Sequence, residues 1–162
     1  MTVLDQLNPL KTPDFNGDRK GDVFWRSELT NQNTVWLMDG PRILQSSFLP
    51  SVSDADGWTE VIPADFNGDR KTDVFWRNTK TGQNAIWLMD GGNIAGASFI
   101  DSVSVAYRDF DLGDFNGDGK ADIFWRNENR GENAIWLMDG FNRLQAEFLV
   151  KIPTSQKWIP II

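Results

Sequence analysis

Three stretches of this 162-residue chain carry the same oxygen-rich loop. They read DFNGDRKGDVFWR at 14–26, DFNGDRKTDVFWR at 65–77 and DFNGDGKADIFWR at 114–126. Each places Asp, Asn, Asp and Asp at positions 1, 3, 5 and 9. Alternate side chains of a tight loop converge on one centre. Hard oxygen donors in that number suit Ca2+, which accepts about six to eight oxygens at about 2.3–2.6 Å. Mg2+ is the second choice, because it demands a stricter octahedron and keeps more water. Gly17, Gly68 and Gly117 at position 4 fit a chain that must curl tightly. The backbone carbonyl at position 7, from Lys20, Lys71 and Lys120, could add a ligand.

The loop is not that of an EF-hand, which needs a bidentate Glu at position 12 within a helix. Position 12 here is Trp25, Trp76 or Trp125, inside an apolar run. A metal-free turn is the competing reading, since Asp, Asn and Gly favour turns. Three copies with every acid in place favour the metal, because clustered unpaired carboxylates repel and a divalent ion removes that repulsion.

The elements that must position these loops also repeat. WLMDG begins at Trp36, Trp87 and Trp136, and Phe48, Phe99 and Phe148 mark a third series. All the series step by 51 and then 49 residues, so the whole unit recurs and not only the loop. Seven residues before each loop stand Leu7, Trp58 and Tyr107, and Trp158 follows at the next interval without a loop. The second unit reads as four strands, at about 58–63, 73–77, 84–89 and 94–100, joined by turn-rich segments. DVFW and AIWLM are nearly continuous apolar runs, which suits strands covered on both faces. The expected fold is all-β: β-propeller blades, three of them, four-stranded and antiparallel, of about 50 residues each. They fall in one repeat domain over 1–162, at about 7–50, 51–101 and 102–152, with an extra C-terminal strand at 157–162.

Composition narrows the chemistry. There is no Cys and no His, which removes disulfides, thiol catalysis, most zinc sites and imidazole acid–base chemistry. The obvious Asp residues are better used as ion ligands than as paired hydrolytic carboxylates, so no catalytic residue is expected. A formal charge of −7 disfavours nucleic acid and anionic lipid as partners, and three bound divalent ions would bring it to −1. No segment reaches the roughly 18 apolar residues that span a bilayer, and MTVLDQLNPLK lacks the pattern of a signal peptide.

The motif D-F-N-G-D-x-K-x-D followed by an apolar strand resembles the FG-GAP (VCBS-type) repeat, from about residue 7 to the end. That family builds Ca2+-binding propeller heads of integrin α-chains and many bacterial surface proteins, and it is similar to blades of some propeller lectins. The resemblance implies three Ca2+ sites. Their ligands would be Asp14, Asn16, Asp18 and Asp22; Asp65, Asn67, Asp69 and Asp73; and Asp114, Asn116, Asp118 and Asp122. It departs from the family in number, since family propellers usually have about seven blades and this chain has three. Three blades leave an open arc. Either two copies complete a six-bladed ring, with 157–162 serving as the first strand of the partner, or the blades continue in a longer chain.

Arg26, Arg77 and Arg126 each follow a Trp. Packing is the favoured role, with Trp filling the space between units and Arg stacked on it or paired with an Asp. A sugar-stacking site is the alternative. Trp36, Trp87 and Trp136 with Met38, Met89 and Met138 read as core, and Asp39, Asp90 and Asp139 as turn residues. The expected function is a non-catalytic, calcium-binding module for protein or carbohydrate recognition or adhesion. Its place is extracellular or at the cell surface, where millimolar Ca2+ fills loops lacking the bidentate Glu. The alternative is a purely structural propeller segment of a larger assembly, and a hydrolase comes third. Partner contacts are expected on the loops at 27–33, 78–83 and 127–132, which differ most among the copies.

Overall fold

The computed structural model describes residues 12–156 and residue 160. These residues form three antiparallel sheets, one per repeat. The first holds β1 (Val23–Arg26), β2 (Asn33–Asp39) and β3 (Arg42–Leu49). The second holds β4 (Trp58–Ala64), β5 (Asp73–Asn78), β6 (Asn84–Asp90) and β7 (Asn93–Ile100). The third holds β8 (Asp109–Gly113), β9 (Asp122–Asn127), β10 (Glu132–Asp139) and β11 (Asn142–Leu149). Among the described residues the only helical piece is a 3-10 turn at Thr154–Gln156, and no helix is long and apolar enough to cross a membrane. The strand expected near residues 7–12 and the extra strand expected at 157–162 lie outside the described residues, apart from Thr12 and Pro160.

The sheets are simple meanders whose turns are written in the sequence. Asp-Gly at 39–40, 90–91 and 139–140 joins each of β2, β6 and β10 to the strand that follows, with Gly40, Gly91 and Gly140 at positive φ. The four strands read in the second unit coincide with β4 to β7 to within one residue. In the third unit the first strand starts at Asp109, after Tyr107. The Tyr107 N–H is spent on a turn to the Ser104 carbonyl, and its own carbonyl accepts from Arg77.

The apolar runs are buried because the sheets cover one another. Every residue of β5 is buried, as a strand with a sheet on each face requires, and every residue of β9, covered by a sheet on one face, is buried as well. The core therefore lies in two layers between successive sheets. Phe15, Val35 and Leu37 pack with Val74, Trp76 and Met89 between the first and second. Phe66, Phe75 and Ile86 pack with Ile123, Trp125 and Met138 between the second and third. Strands β3, β7 and β11 each form one edge of their sheet, β1, β4 and β8 the other, and β11 is exposed along its whole length.

Arginine clamps each layer. The Arg26 guanidinium lies 4.9 Å from the Trp76 ring and that of Arg77 lies 4.7 Å from the Trp125 ring. Stacking thus reaches the Trp of the next repeat and not the neighbouring Trp in sequence. Arg77 donates to Asn84 Oδ1 (3.0 Å) and to the carbonyls of Val103 (3.3 Å), Ser104 (3.1 Å) and Tyr107 (3.0 Å). Arg26 donates to Asn33 Oδ1, the Val52 and Trp58 carbonyls, and the Asp54 carboxylate. One guanidinium thereby ties a strand end to the connection that launches the next sheet. Burial pulls Arg77 down to about 10, with the Glu60 carboxylate opposing, so it stays charged at neutral pH. Arg77→Met keeps most of the volume but leaves these carbonyls without a donor. It is expected to cost about 3 kcal/mol or more, read as a lower midpoint in urea unfolding with an unchanged slope.

Candidate metal centre

Each loop is curled by its own acids. Asp14 Oδ1 accepts the backbone N–H groups of Gly17 (2.8 Å) and Asp18 (3.2 Å), and Oδ2 accepts that of Arg19 (2.8 Å). Asn16 Oδ1 accepts from Asp18 (3.0 Å), and Asp18 Oδ1 accepts from Lys20 (2.9 Å). Asp65, Asn67 and Asp69 in the second loop, and Asp114, Asn116 and Asp118 in the third, repeat this scheme. Position 4 favours Gly, because φ there is +75, +77 and +79 in the three copies. At position 6 Arg19 and Arg70 are forced to φ +67, where the third copy has Gly119 at +83. A left-handed non-glycine residue costs about 1 kcal/mol, so the loop geometry outweighs local preference.

The Asp at position 9 does something the spacing did not announce. Each hairpin is bulged opposite Leu37–Met38, Leu88–Met89 and Leu137–Met138, the extra residue being Leu44 on β3, Ala95 on β7 and Leu144 on β11. On the other side, the ladder with the preceding strand ends at Trp36, Trp87 and Trp136, two residues before the Met. In each repeat the Met N–H is taken by the position-9 carboxylate: Met38 by Asp22 (2.8 Å), Met89 by Asp73 (2.8 Å) and Met138 by Asp122 (2.9 Å). The other carboxylate oxygen accepts the N–H of Phe15 (2.8 Å), Phe66 (2.9 Å) or Phe115 (2.9 Å) at position 2. One buried carboxylate therefore joins the loop to the hairpin.

The charges of each loop are felt by one another. Burial pushes the carboxyls of Asp22, Asp73 and Asp122 above the ordinary range, the backbone N–H groups pull them down, and the loop's other two acids push them up again. Asp73 is the extreme, raised from 3.8 to about 6. Burial also raises Asp65, whereas Asp114 is lowered, first of all by the Gly119 N–H.

Among the described residues no three acidic side chains stand close enough together, as placed, to hold an ion. The backbone N–H groups claim one lone pair or more on both oxygens of Asp14 and Asp22 and their counterparts. The donor chemistry nevertheless fits a hard divalent cation. Carboxylate oxygens that accept one bond retain a second lone pair. The self-repulsion of each loop's acids is the kind of cost that a cation relieves.

The lysines at position 7 and the Asp-Gly turns, separate features in the sequence, meet in space. Lys20 pairs with Asp39 (3.0 Å), Lys71 with Asp90 (2.6 Å) and Lys120 with Asp139 (2.7 Å). The constant separation of 19 residues in all three copies was the signal available for this pairing. Across repeats, the Asp14 carbonyl accepts from Thr72 (2.7 Å) and that of Asp65 from Ala121 (2.6 Å). The Phe15 carbonyl accepts from Gly91 (2.8 Å) and that of Phe66 from Gly140 (2.7 Å). The loops thus bind their own sheet to the following one.

These roles separate by mutation. Asp73→Asn sets an amide N–H against a backbone N–H, and a loss of about 1–3 kcal/mol is expected even in chelator. Asp69→Asn keeps its acceptor oxygen for Lys71 and should stay within about 0.5 kcal/mol under the same conditions. The sign of the pH dependence follows from the raised Asp73 carboxyl. In chelator the folded state holds this proton up to about 6 while an ordinary carboxyl releases it near 3.8. The stability tied to this proton is present at low pH and lost as pH rises through 6. The stability gap between wild type and the non-titrating Asp73→Asn should widen as pH falls from neutral, measured by urea melts at each pH. An equal or shrinking gap would contradict it.

Comparison with known proteins bears on the repeat. The family of the FG-GAP-like repeat matches residues 14–76 and, overlapping, residues 65–125, each match running from one loop into the strand after the next. No curated protein and no solved structure matches the chain. The matched stretch, 14–125, holds all three loops and at least the first part of each strand that follows them, and the chain belongs to the FG-GAP-like repeat family.

Proposed function

We propose that this chain is a calcium-stabilised, non-catalytic recognition module built of β-propeller blades. The observation that carries the reading is the threefold loop whose acids are gathered by backbone N–H groups while still repelling one another. Asp14, Asn16, Asp18 and Asp22, with the Lys20 carbonyl, would hold one ion. Asp65, Asn67, Asp69 and Asp73 with the Lys71 carbonyl would hold the second, and Asp114, Asn116, Asp118 and Asp122 with the Lys120 carbonyl the third. Bound Ca2+ supplies charge neutralisation and no chemistry on a substrate. Sheets that stack face on face through a repeated Arg–Trp contact support the blade reading.

Recognition is supported by what the repeats leave outside. Phe48, Phe99 and Phe148 occupy equivalent places on the outer strands and are all exposed, although Phe99 also rests on Trp58, at 5.9 Å between ring centroids. Repeated exposed rings on a rigid scaffold suit a protein or glycan ligand. An extracellular or cell-surface place follows from the ion, since such loops fill at millimolar Ca2+.

Millimolar Ca2+ is expected to raise the melting temperature by several degrees over the chelated protein, because an ion that binds only the folded state adds about 2.7 kcal/mol at a hundredfold excess over its Kd. Calorimetric titration should give three sites per chain. An unchanged melt with no heat of binding would overturn the calcium reading. Glycan-array or pull-down binding lost in Phe148→Ala, with the melt unchanged, would support the recognition surface, and binding indifferent to all three Phe positions would remove it.

A further inference from the structure

The contacts between repeats run in one direction and are used twice. The earlier repeat supplies an arginine and two carbonyls, and the later one supplies a tryptophan ring and two backbone N–H groups. Arg26 covers Trp76 and Arg77 covers Trp125, while Asp14 and Phe15 accept from Thr72 and Gly91, as Asp65 and Phe66 do from Ala121 and Gly140. Such a junction has two different halves, and the described residues leave one half unused at each end.

At the first sheet the exposed half is the tryptophan. Trp25 is 49% exposed, against 1% for Trp76 and 1% for Trp125. At the third sheet it is the socket. Phe115 is 38% exposed, against 0% for both Phe15 and Phe66. A groove of about 720 Å³ lies at this sheet, lined by Phe124, Arg126, Asn133, Leu149, Ile152 and, from the C-terminal segment, Pro160, with Phe124 and Arg126 themselves buried in its wall. Its counterparts are filled in the other two sheets. Phe24 meets Trp76 and Phe75 meets Trp125, each at 6.3 Å between ring centroids.

We propose that the occupant of this groove is a second copy of the chain, docked head to tail. Its Trp25 enters under Arg126, and its Gly21 and Gly40 N–H groups reach the Asp114 and Phe115 carbonyls. Gly21 and Gly40 stand at the loop and turn positions that Thr72 and Gly91 occupy in the second repeat and Ala121 and Gly140 in the third. A second copy would continue the two existing junctions. The same chain carries both halves, in the register already realised twice, with a cation facing a ring and acceptors facing donors. Two such copies leave a junction free at each end of the pair, and these meet if the rotation per repeat closes. Closure into a six-bladed ring rests on the blade reading above, whereas the junction rests only on the contacts described here.

The test is solution mass by light scattering at micromolar protein with Ca2+ present. Wild type is expected at twice the 18.4 kDa chain mass. Trp25→Ala and Phe115→Glu should each fall to the single-chain mass, and mixing the two should restore a two-chain species, because each supplies the half that the other lacks. Trp25 is half exposed, so its variant should retain the wild-type far-ultraviolet spectrum. Arg126→Gln probes the same junction from the other side should that variant fail to fold. A monomeric wild type, whether its faces are covered by its own terminal segments or left bare, overturns the proposal. So does an assembly that Trp25→Ala and Arg126→Gln leave unchanged. A ladder of larger masses sensitive to Trp25→Ala supports the junction and overturns the closed ring. Chelator arms report separately on the calcium reading.

Discussion

A buried carboxylate in each repeat holds the loop, the bulge and the hairpin in one register. Asp22, Asp73 and Asp122 each accept one N–H from the start of the loop and one from the Met near the end of the second hairpin strand. The ladder with the preceding strand stops two residues before that Met, so without this acceptor its N–H would be unpaired, and an unsatisfied buried donor costs about 1–3 kcal/mol. With it, the chain entering β5 is tied to the far end of β6, and the same holds in the other two repeats. The carboxylate is buried to do this, and its raised proton affinity is the measure of that cost.

That pin makes the repeat rigid enough to be stacked. Once the loop is fixed, the carbonyls at its first two positions face the next repeat and accept from that repeat's loop and turn. The same stacking lays Arg26 over Trp76 and Arg77 over Trp125, so apolar layers form only between sheets. Stability is then largely a property of neighbouring pairs, as in other repeat architectures. It also explains why equivalent residues differ in burial. Trp25 and Trp76 share a motif, but only Trp76 has a sheet in front of it.

Much of this was legible from residue types and spacing. The 51- and 49-residue steps located the repeat, the turn residues bounded the strands of the second unit, and the unalternating DVFW run announced strands buried on both faces. Arginine stacked on tryptophan was legible as chemistry but not as a partnership. Periodicity identifies equivalent residues and does not reveal which copy touches which. The position-9 Asp was read from spacing as one more ligand, and its hydrogen bond to a Met 16 residues on was invisible because nothing local marks where one strand's ladder stops short of the next. Asp39, Asp90 and Asp139 explained themselves as turn residues, which hid their pairing with the loop lysines.

The sequence by itself determined the period, the strand and turn composition and the set of oxygen donors, because each depends on neighbours within a few residues. Tertiary structure alone decided how those donors are spent, which tryptophans are covered and which faces are left open. These depend on contacts between groups some 50 residues apart, where burial and direction, not residue type, select the partner. The thrice-repeated loop is accordingly both a candidate ion site and the joint between one sheet and the next.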